Sequence, residues 1–171
     1  MRIHIATDHA GFELKNHFVE VLGQAGHDVI DHGAHEYDAD DDYPAFCISA
    51  AEAVARAWQA GQPDSPDTLG IVIGGSGNGE QLAANRVPGV RAILAWSVET
   101  AQLGRQHNNA NVVAVGGRMH SLADATAIIE AFLATPFSGE PRHARRVQQM
   151  LDYEAARPAG SGENLWLDAP N

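Results

Sequence analysis

The run IVIGGSGNGEQLAANR, from Ile71 to Arg86, limits the architecture of this chain more than any other stretch. A short β-branched apolar run passes through glycines at 74, 75, 77 and 79 into a helical pattern, which predicts a strand, a tight loop and the first turns of a helix. Glycine tolerates positive φ and close backbone approach. Ser76 adds a hydroxyl, and amides in such a loop can converge on an anionic oxygen. Two common phosphate loops fail on spacing. Counting G-x-G-x-x-G from Gly75 and Gly77 puts Glu80 at the third glycine, and a Walker loop beginning at Gly74 finds Glu80 and Gln81 where lysine and serine or threonine belong. A carboxylate in place of the phosphate-clamping lysine reverses the sign of the interaction, so the loop suits proton chemistry by Glu80 beside an oxyanion site. The plainer alternative is a structural turn with a surface glutamate at a helix start.

The rest of the chain alternates strand and helix patterns around this unit. Arg2–Thr7 reads as a strand, followed by Asp8-His9-Ala10-Gly11 and a helix with Leu14, Phe18, Val21 or Leu22, and Ala25 on one face. Gly26 ends that helix, and residues 27–32 form a second strand. Residues 35–42 (HEYDADDD) carry five acids but lack the glycine and terminal glutamate of a calcium loop, so they read as a solvated segment. Tyr43-Pro44 opens a long helix to about Ala60, and the turn-rich residues 61–68 lead into the central strand. Arg91–Trp96 and Val112–Val115 are the remaining strands, with a helix from Ser97 to about Gln106 and the segment 107–111 between them. Helices follow over Ser121–Ala134 and about Ser138–Ala156, the last with an apolar stripe of Val147, Met150 and Leu151. This order predicts a three-layer α/β fold, a five-stranded parallel sheet with helices on both faces and a C-terminal helix. One domain is expected over residues 1–156, with residues 157–171 a flexible tail. The junctions at 8–11, 74–80, 97 and 116–118 then fall at strand C-termini, where open α/β sheets bind ligands.

Charge narrows the function. A formal net charge of -11 argues against nucleic acid as a partner, and no apolar run reaches the length of a membrane span. Against that acidic background, Arg142, Arg145 and Arg146 make a local cationic site suited to a small phosphorylated metabolite. Arg142 and Arg146 share a helical face, whereas Arg145 points elsewhere. The single cysteine, Cys47, excludes a disulfide framework and reads as a buried small hydrophobe. The start of the chain lacks a signal-peptide pattern, so a cytoplasmic location is expected.

Six segments in order, DHAG at 8–11, DYPAF at 42–46, GGSGNG at 74–79, HNNAN at 107–111, GGR at 116–118 and RH-x-RR at 142–146, resemble the ribose-5-phosphate isomerase B type. That type is grouped with galactose-6-phosphate and allose-6-phosphate isomerases, and the likeness runs from Met1 to about Glu154. The resemblance implies a Rossmann-like fold and an aldose–ketose isomerase that moves a proton between C2 and C1 through an enediolate, with no metal and no cofactor. Glu80 matches the catalytic base. Other branches carry a cysteine at the strand end, where this chain has Ile73. Ser76 and the amides around Gly75, Gly77 and Gly79 would hold the enediolate. His107 would assist ring opening, although a histidine there could also simply cap a loop. Asp8 would bind hydroxyls or steer ring opening, although an aspartate there could equally cap the helix. His9, Tyr43 and Asn108 match sugar-lining positions, though a tyrosine before proline is otherwise a turn residue. Arg118, Arg142, His143 and Arg146 match the phosphate-binding set. The resemblance also implies a homodimer, possibly a tetramer, whose active sites combine residues of two subunits. The leading substrate pair is ribose 5-phosphate and ribulose 5-phosphate. The same chemistry on a tetrulose or hexose phosphate, and a non-catalytic phosphosugar-binding module, are the alternatives.

Overall fold

The computed structural model describes residues 1–61 and 67–156. Most of the turn-rich connection expected before the central strand, residues 62–66, lies outside the described residues, as does the expected tail 157–171. Five strands, β1 (Arg2–Thr7), β2 (Asp28–Asp31), β3 (Thr68–Gly74), β4 (Ala92–Leu94) and β5 (Val112–Gly116), form a parallel sheet in the order β2-β1-β3-β5-β4. Six α-helices accompany them: α1 (Phe12–Gln24), α2 (Tyr43–Gly61), α3 (Asn78–Ala84), α4 (Val98–Asn108), α5 (Leu122–Ala134) and α6 (Pro141–Ala156). A 3-10 turn over His9–Gly11 joins β1 to α1. Among the described residues no helix is long and apolar enough to cross a membrane.

Side-chain alternation along the strands builds two cores. Leu69, Ile71 and Ile73 of β3, with Ile3, Ile5, Val113 and Val115, pack beneath Phe18 and Leu22 of α1 and Ile128, Ile129 and Phe132 of α5. Val72, with Ala6, Val112 and Ala114, faces the small residues Ala50, Ala51 and Val54 of α2 and Ala83 and Ala84 of α3. Cys47 lies in this second core, fully buried as expected, and burial pushes its thiol up and keeps it protonated.

Several expectations are corrected. β3 begins at Thr68 rather than Ile71, because a central strand is paired on both sides: Thr68 aligns with Arg2, and Gly70 with Val112. β4, at the sheet edge with one neighbour, shrinks to Ala92–Leu94. α4 runs past Gln106 to Asn108 and takes His107 into the helix; Asn109 then ends it with a left-handed φ of 46°. Ala25 and Met150, expected on buried helical faces, are exposed, and the inner face of α6 is instead His143 and Val147.

Two buried polar clusters were not anticipated. Lys15, the only lysine, is 1% exposed, with its Nζ donating to Asp31 Oδ2 at 2.5 Å and to the Ala34 carbonyl at 2.8 Å. This pins the segment after β2 against α1. His4, on the α2 side of β1, places Nδ1 2.8 Å from Nε2 of His32, whose Nδ1 lies 2.9 Å from the Ser49 hydroxyl. Burial pulls the His4 pKa down to about 4, with His32, Arg2 and Arg56 adding to the effect and Asp28 opposing it; burial also lowers His32.

Unfolded histidines titrate near pH 6.5. Between that value and about pH 4 the unfolded chain therefore binds protons that the folded chain refuses at His4. This contribution to stability is complete above pH 6.5 and is lost as the pH falls toward 4. Urea midpoints should decline across that window in the wild type and less steeply in His4→Gln. An identical decline in the variant would assign the loss to other groups.

Candidate active site

The loop between β3 and α3 is shaped by what its glycines leave open. A Cβ built on Gly74 would coincide with the carboxylate of Glu80, so that side chain folds back over the backbone at the strand end. Gly77 takes a φ of 82°, the left-handed value that turns the chain into α3. A Cβ on Gly79 would stand 2.6 to 2.7 Å from the Tyr43 ring and hydroxyl, so Tyr43 packs directly on the loop. The Gly117 amide donates to the Gly74 carbonyl at 2.7 Å and the Arg118 amide to the Gly75 carbonyl at 3.1 Å, tying the ends of β3 and β5 together. Arg118 passes over Gly75, its Cδ and a guanidinium nitrogen 3.7 Å from where a Cβ there would be.

Glu80 is 4% exposed. Burial raises its pKa and the charge of Asp8 adds to the rise, while a hydrogen bond from its own amide opposes both. Such a carboxylate is a better proton acceptor than a solvated one. Ser76 is exposed at the loop tip, and its Oγ accepts from the Asn78 side chain at 3.1 Å and more distantly from the Asn78 amide at 3.4 Å. With the oxygen so occupied, the hydroxyl proton remains free to donate outward. Asn78 is a contributor that sequence reasoning missed.

Asp8 and His9 stand beside this loop, at the end of β1. Asp8 does cap the 3-10 turn, its Oδ1 accepting from the Ala10 amide at 2.9 Å, and its charge also reaches Glu80. His9 Nδ1 lies 2.7 Å from Asp41 Oδ1, which also accepts from the His9 amide at 2.9 Å. The segment 35–42, expected to be solvated, is largely exposed, but Asp41 turns inward to make these bonds. Ligand atoms of Asp8, His9 and Asp41 lie within 4.8 Å of one another, close enough to suit a metal ion. A nitrogen that donates to Asp41 cannot also be a metal ligand, however, and the positive charge of Arg118 reaches His9.

His107, Asn108, Arg142, His143 and Arg146 form a second group. In a parallel sheet the helix after each strand runs back to the opposite edge, and the 11 residues of α4 rise about 16 Å. His107 and Asn108 therefore sit at the N-terminal edge of the sheet, while Glu80 sits at the C-terminal edge. The His107 and His143 rings lie 4.2 Å apart, centroid to centroid. His143 Nε2 accepts from Arg142 Nε at 3.1 Å, which leaves the proton on Nδ1 to donate to Ser138 Oγ at 2.8 Å. Burial lowers the His143 pKa, and His107, Arg142 and Arg146 lower it further, which suits a neutral ring. Arg142, Arg145 and Arg146 are all exposed.

Arg105, which the sequence did not single out, anchors this group. It is buried, donates through Nε to the Thr135 carbonyl at 3.0 Å and through a terminal nitrogen to Asn109 Oδ1 and the Ala110 carbonyl, and lies over the Phe132 ring. The Ser138 amide adds a bond to the Gln106 carbonyl at 3.2 Å, fixing the start of α6 on the end of α4. Asn111 bridges Arg91 and Gly89 and is structural. A cavity of about 270 Å³ under α6, lined by Trp58, Arg91, Phe137, Val147 and Leu151 among others, contains none of the anticipated site residues.

A sequence model of the ribose/galactose isomerase family matches residues 3–150. The chain is 57% identical over 159 residues to ribose-5-phosphate isomerase B of Mycolicibacterium paratuberculosis, covering 93% of this chain and 95% of that one. It is 54% identical over 159 residues to the Mycobacterium tuberculosis enzyme of the same name, covering 93% of each. The crystal structure of ribose-5-phosphate isomerase B from Mycoplasma genitalium with bound ribulose-5-phosphate superposes with a TM-score of 0.84 at 39% identity, over 91% of this chain and 97% of that one. That from Clostridium thermocellum does so with a TM-score of 0.81 at 38% identity, over 91% and 98%.

Gly74→Ala should displace the Glu80 carboxylate without unfolding β3, since alanine is tolerated in a strand. A misplacement of about 1 Å in a reacting group costs on the order of 10²-fold in rate. Turnover should fall by that order with the melting temperature nearly unchanged, and undiminished turnover would show that Glu80 need not lie over Gly74.

Proposed function

The chain belongs to the ribose/galactose isomerase family, and we propose that within it Glu80 is the base that carries a proton between C1 and C2 of a phosphosugar. The chain is an aldose–ketose isomerase of the ribose-5-phosphate isomerase B type and interconverts ribose 5-phosphate and ribulose 5-phosphate. The observation that supports Glu80 most is its position: a buried carboxylate with a raised pKa, folded over Gly74 in the same loop as Ser76. Glu80 takes the C2 proton of the open-chain aldose as the electrons move onto the C1 oxygen; the C2 hydroxyl proton passes to that oxygen, and Glu80 returns its proton to C1 as the C2 carbonyl forms. The Ser76 hydroxyl and the amides around Gly75, Gly77 and Gly79 donate to the oxygen on which charge develops, so the step runs without a metal or a cofactor. Asp8 and Tyr43 hold sugar hydroxyls. His9 and Arg118 face the same space.

The phosphate and the ring oxygen fall to the second group. Arg142, Arg146 and His143 bind the phosphate, Asn108 contacts substrate, and His107 moves the proton that opens the furanose. These residues stand at the opposite sheet edge from Glu80 of the same chain, which supports a homodimer whose sites pair the glycine loop of one subunit with the α4–α6 corner of another. A second observation favours that reading. Leu82, Trp96, Val98, Met119 and Leu122 are exposed, in segments that follow β3, β4 and β5, an apolar rim suited to a second copy. The enzyme acts in the cytoplasm, where its phosphorylated substrate is retained.

Glu80→Gln should lower kcat by ~10²- to 10⁴-fold while phosphate affinity holds. Arg142→Ala or Arg146→Ala should raise KM about tenfold or more, since charge-assisted bonds to phosphate contribute roughly 1.5 to 3 kcal/mol each; Arg145→Ala should do little. Shared sites are tested by co-refolding Glu80→Gln with His107→Asn subunits. A mixed dimer carries one doubly altered and one intact site, so about a quarter of wild-type activity should return. No recovery beyond the sum of the two variants would mean that each site is built within one chain.

A further inference from the structure

Asp41 has no place in the chemistry above, yet it is the one acid of its loop drawn inward. It sits one turn after Asp38, whose carbonyl accepts the Asp41 amide at 3.2 Å, and two residues before α2. Its side chain is 10% exposed. One carboxylate oxygen takes both bonds from His9, from the amide at 2.9 Å and from Nδ1 at 2.7 Å, while the other is buried without a donor among the described residues. A carboxylate so placed directs its charge at a single neighbour, and a desolvated anion needs a cation beside it. It also settles the ring. Nδ1 must carry a proton to donate to Asp41, and the second nitrogen, Nε2, is free to carry another.

We propose that Asp41 is a positioning residue of the isomerase site, holding His9 as an imidazolium with Nε2–H available to the phosphosugar. This rests on the reading that the Gly75–Arg118 face receives the substrate. The Tyr37 ring meets His9 edge-on, with the ring centroids 6.5 Å apart. The charged groups around His9 are Asp8 on its own turn, Asp41 from the segment before α2, and Arg118 from the loop after β5. The bond to Asp41 is the largest influence on the ring and raises its pKa, Asp8 acts in the same sense, and Arg118 with partial burial opposes them. With Arg118 alongside, a protonated His9 adds a second cation to the glycine-loop side of the site, opposite in kind to the carboxylates of Glu80 and Asp8. Its charge draws the anionic substrate, so its effect falls on binding rather than on proton transfer.

Asp41→Asn keeps an oxygen able to accept from the His9 amide and Nδ1 but removes the charge. By NMR titration of the histidine ring signals, the His9 midpoint should move to lower pH in the variant. KM should match wild type at a pH low enough to protonate His9 in both, and exceed it several-fold between the two NMR midpoints, where only the wild-type ring keeps its proton, with kcat little changed. In a His9→Gln background, Asp41→Asn should add no further increase in KM, because the two act as a unit. Asp41→Glu, which restores the charge on a longer arm, should recover part of the loss between those midpoints. An unmoved His9 midpoint, or a KM penalty equal at both pH values or persisting without His9, would overturn the proposal. The NMR midpoint does not depend on catalysis, so it distinguishes failure here from failure of the Glu80 assignment, which would show as undiminished kcat in Glu80→Gln.

Discussion

The carboxylate of Glu80 occupies the space that any side chain at position 74 would fill. Much of the sheet's C-terminal edge is arranged around that close approach. Gly74 aligns with Gly116 across the β3–β5 pair, and the Gly117 and Arg118 amides donate to the Gly74 and Gly75 carbonyls, so two strand ends close under the loop without bulk. On the other side, the Thr7 hydroxyl donates to the Ile73 carbonyl at 2.7 Å, and Gly11 lies so near Thr7 and Ile73 that a Cβ there would overlap both. The turn carrying Asp8 and His9 is thereby brought against β3. Burial of the Glu80 carboxylate, its raised pKa and its proximity to Asp8 follow from one packing condition, the absence of side chains at successive strand ends.

The same closeness explains how much of the site could be read in advance. Glycines at 74, 75, 77 and 79, with a carboxylate where a P-loop needs lysine, announced both the loop and the charge it carries, because the backbone conformations and the sign of the charge are properties of residue type. The strand and helix order was equally legible, since β3 and β5 are buried on both faces and read as unbroken apolar runs. Strand ends were less so. β3 and β4 differ from expectation in opposite directions because pairing, which the local pattern does not encode, extends the central strand and trims the edge one.

What stayed hidden was polar and long-range. Arg105 lies in an unremarkable helical stretch, and its partners are carbonyls at 110 and 135, with the Phe132 ring beneath. Asp41 looked like one more acid in a solvated segment, and only its contact with His9, 32 residues earlier, distinguishes it. His107 was placed in a loop, whereas the αL residue after the helix is Asn109, a type that tolerates that conformation. The motif HNNAN thus mixes two kinds of residue. Asn108 is exposed and His107 lies half-buried against the His143 ring, while Asn109 and Asn111 serve the backbone and the arginines at 91 and 105. The separation of His107 from Glu80 follows from strand direction and helix length, and a sequence match to a single composite site conceals it.

Lys15 has a consequence for how this surface meets its surroundings. With the chain's one lysine enclosed against Asp31 and Ala34, every side-chain cation that reaches water is a guanidinium or an imidazole. Guanidinium groups keep their charge at any pH a cell experiences. The arginine corner of α6 is accordingly a fixed electrostatic feature, and pH can adjust the protein's attraction for anions near neutrality chiefly through histidines. Reagents and enzymes that acylate lysine side chains would find no exposed target on the folded chain, so that route cannot neutralise its positive charge.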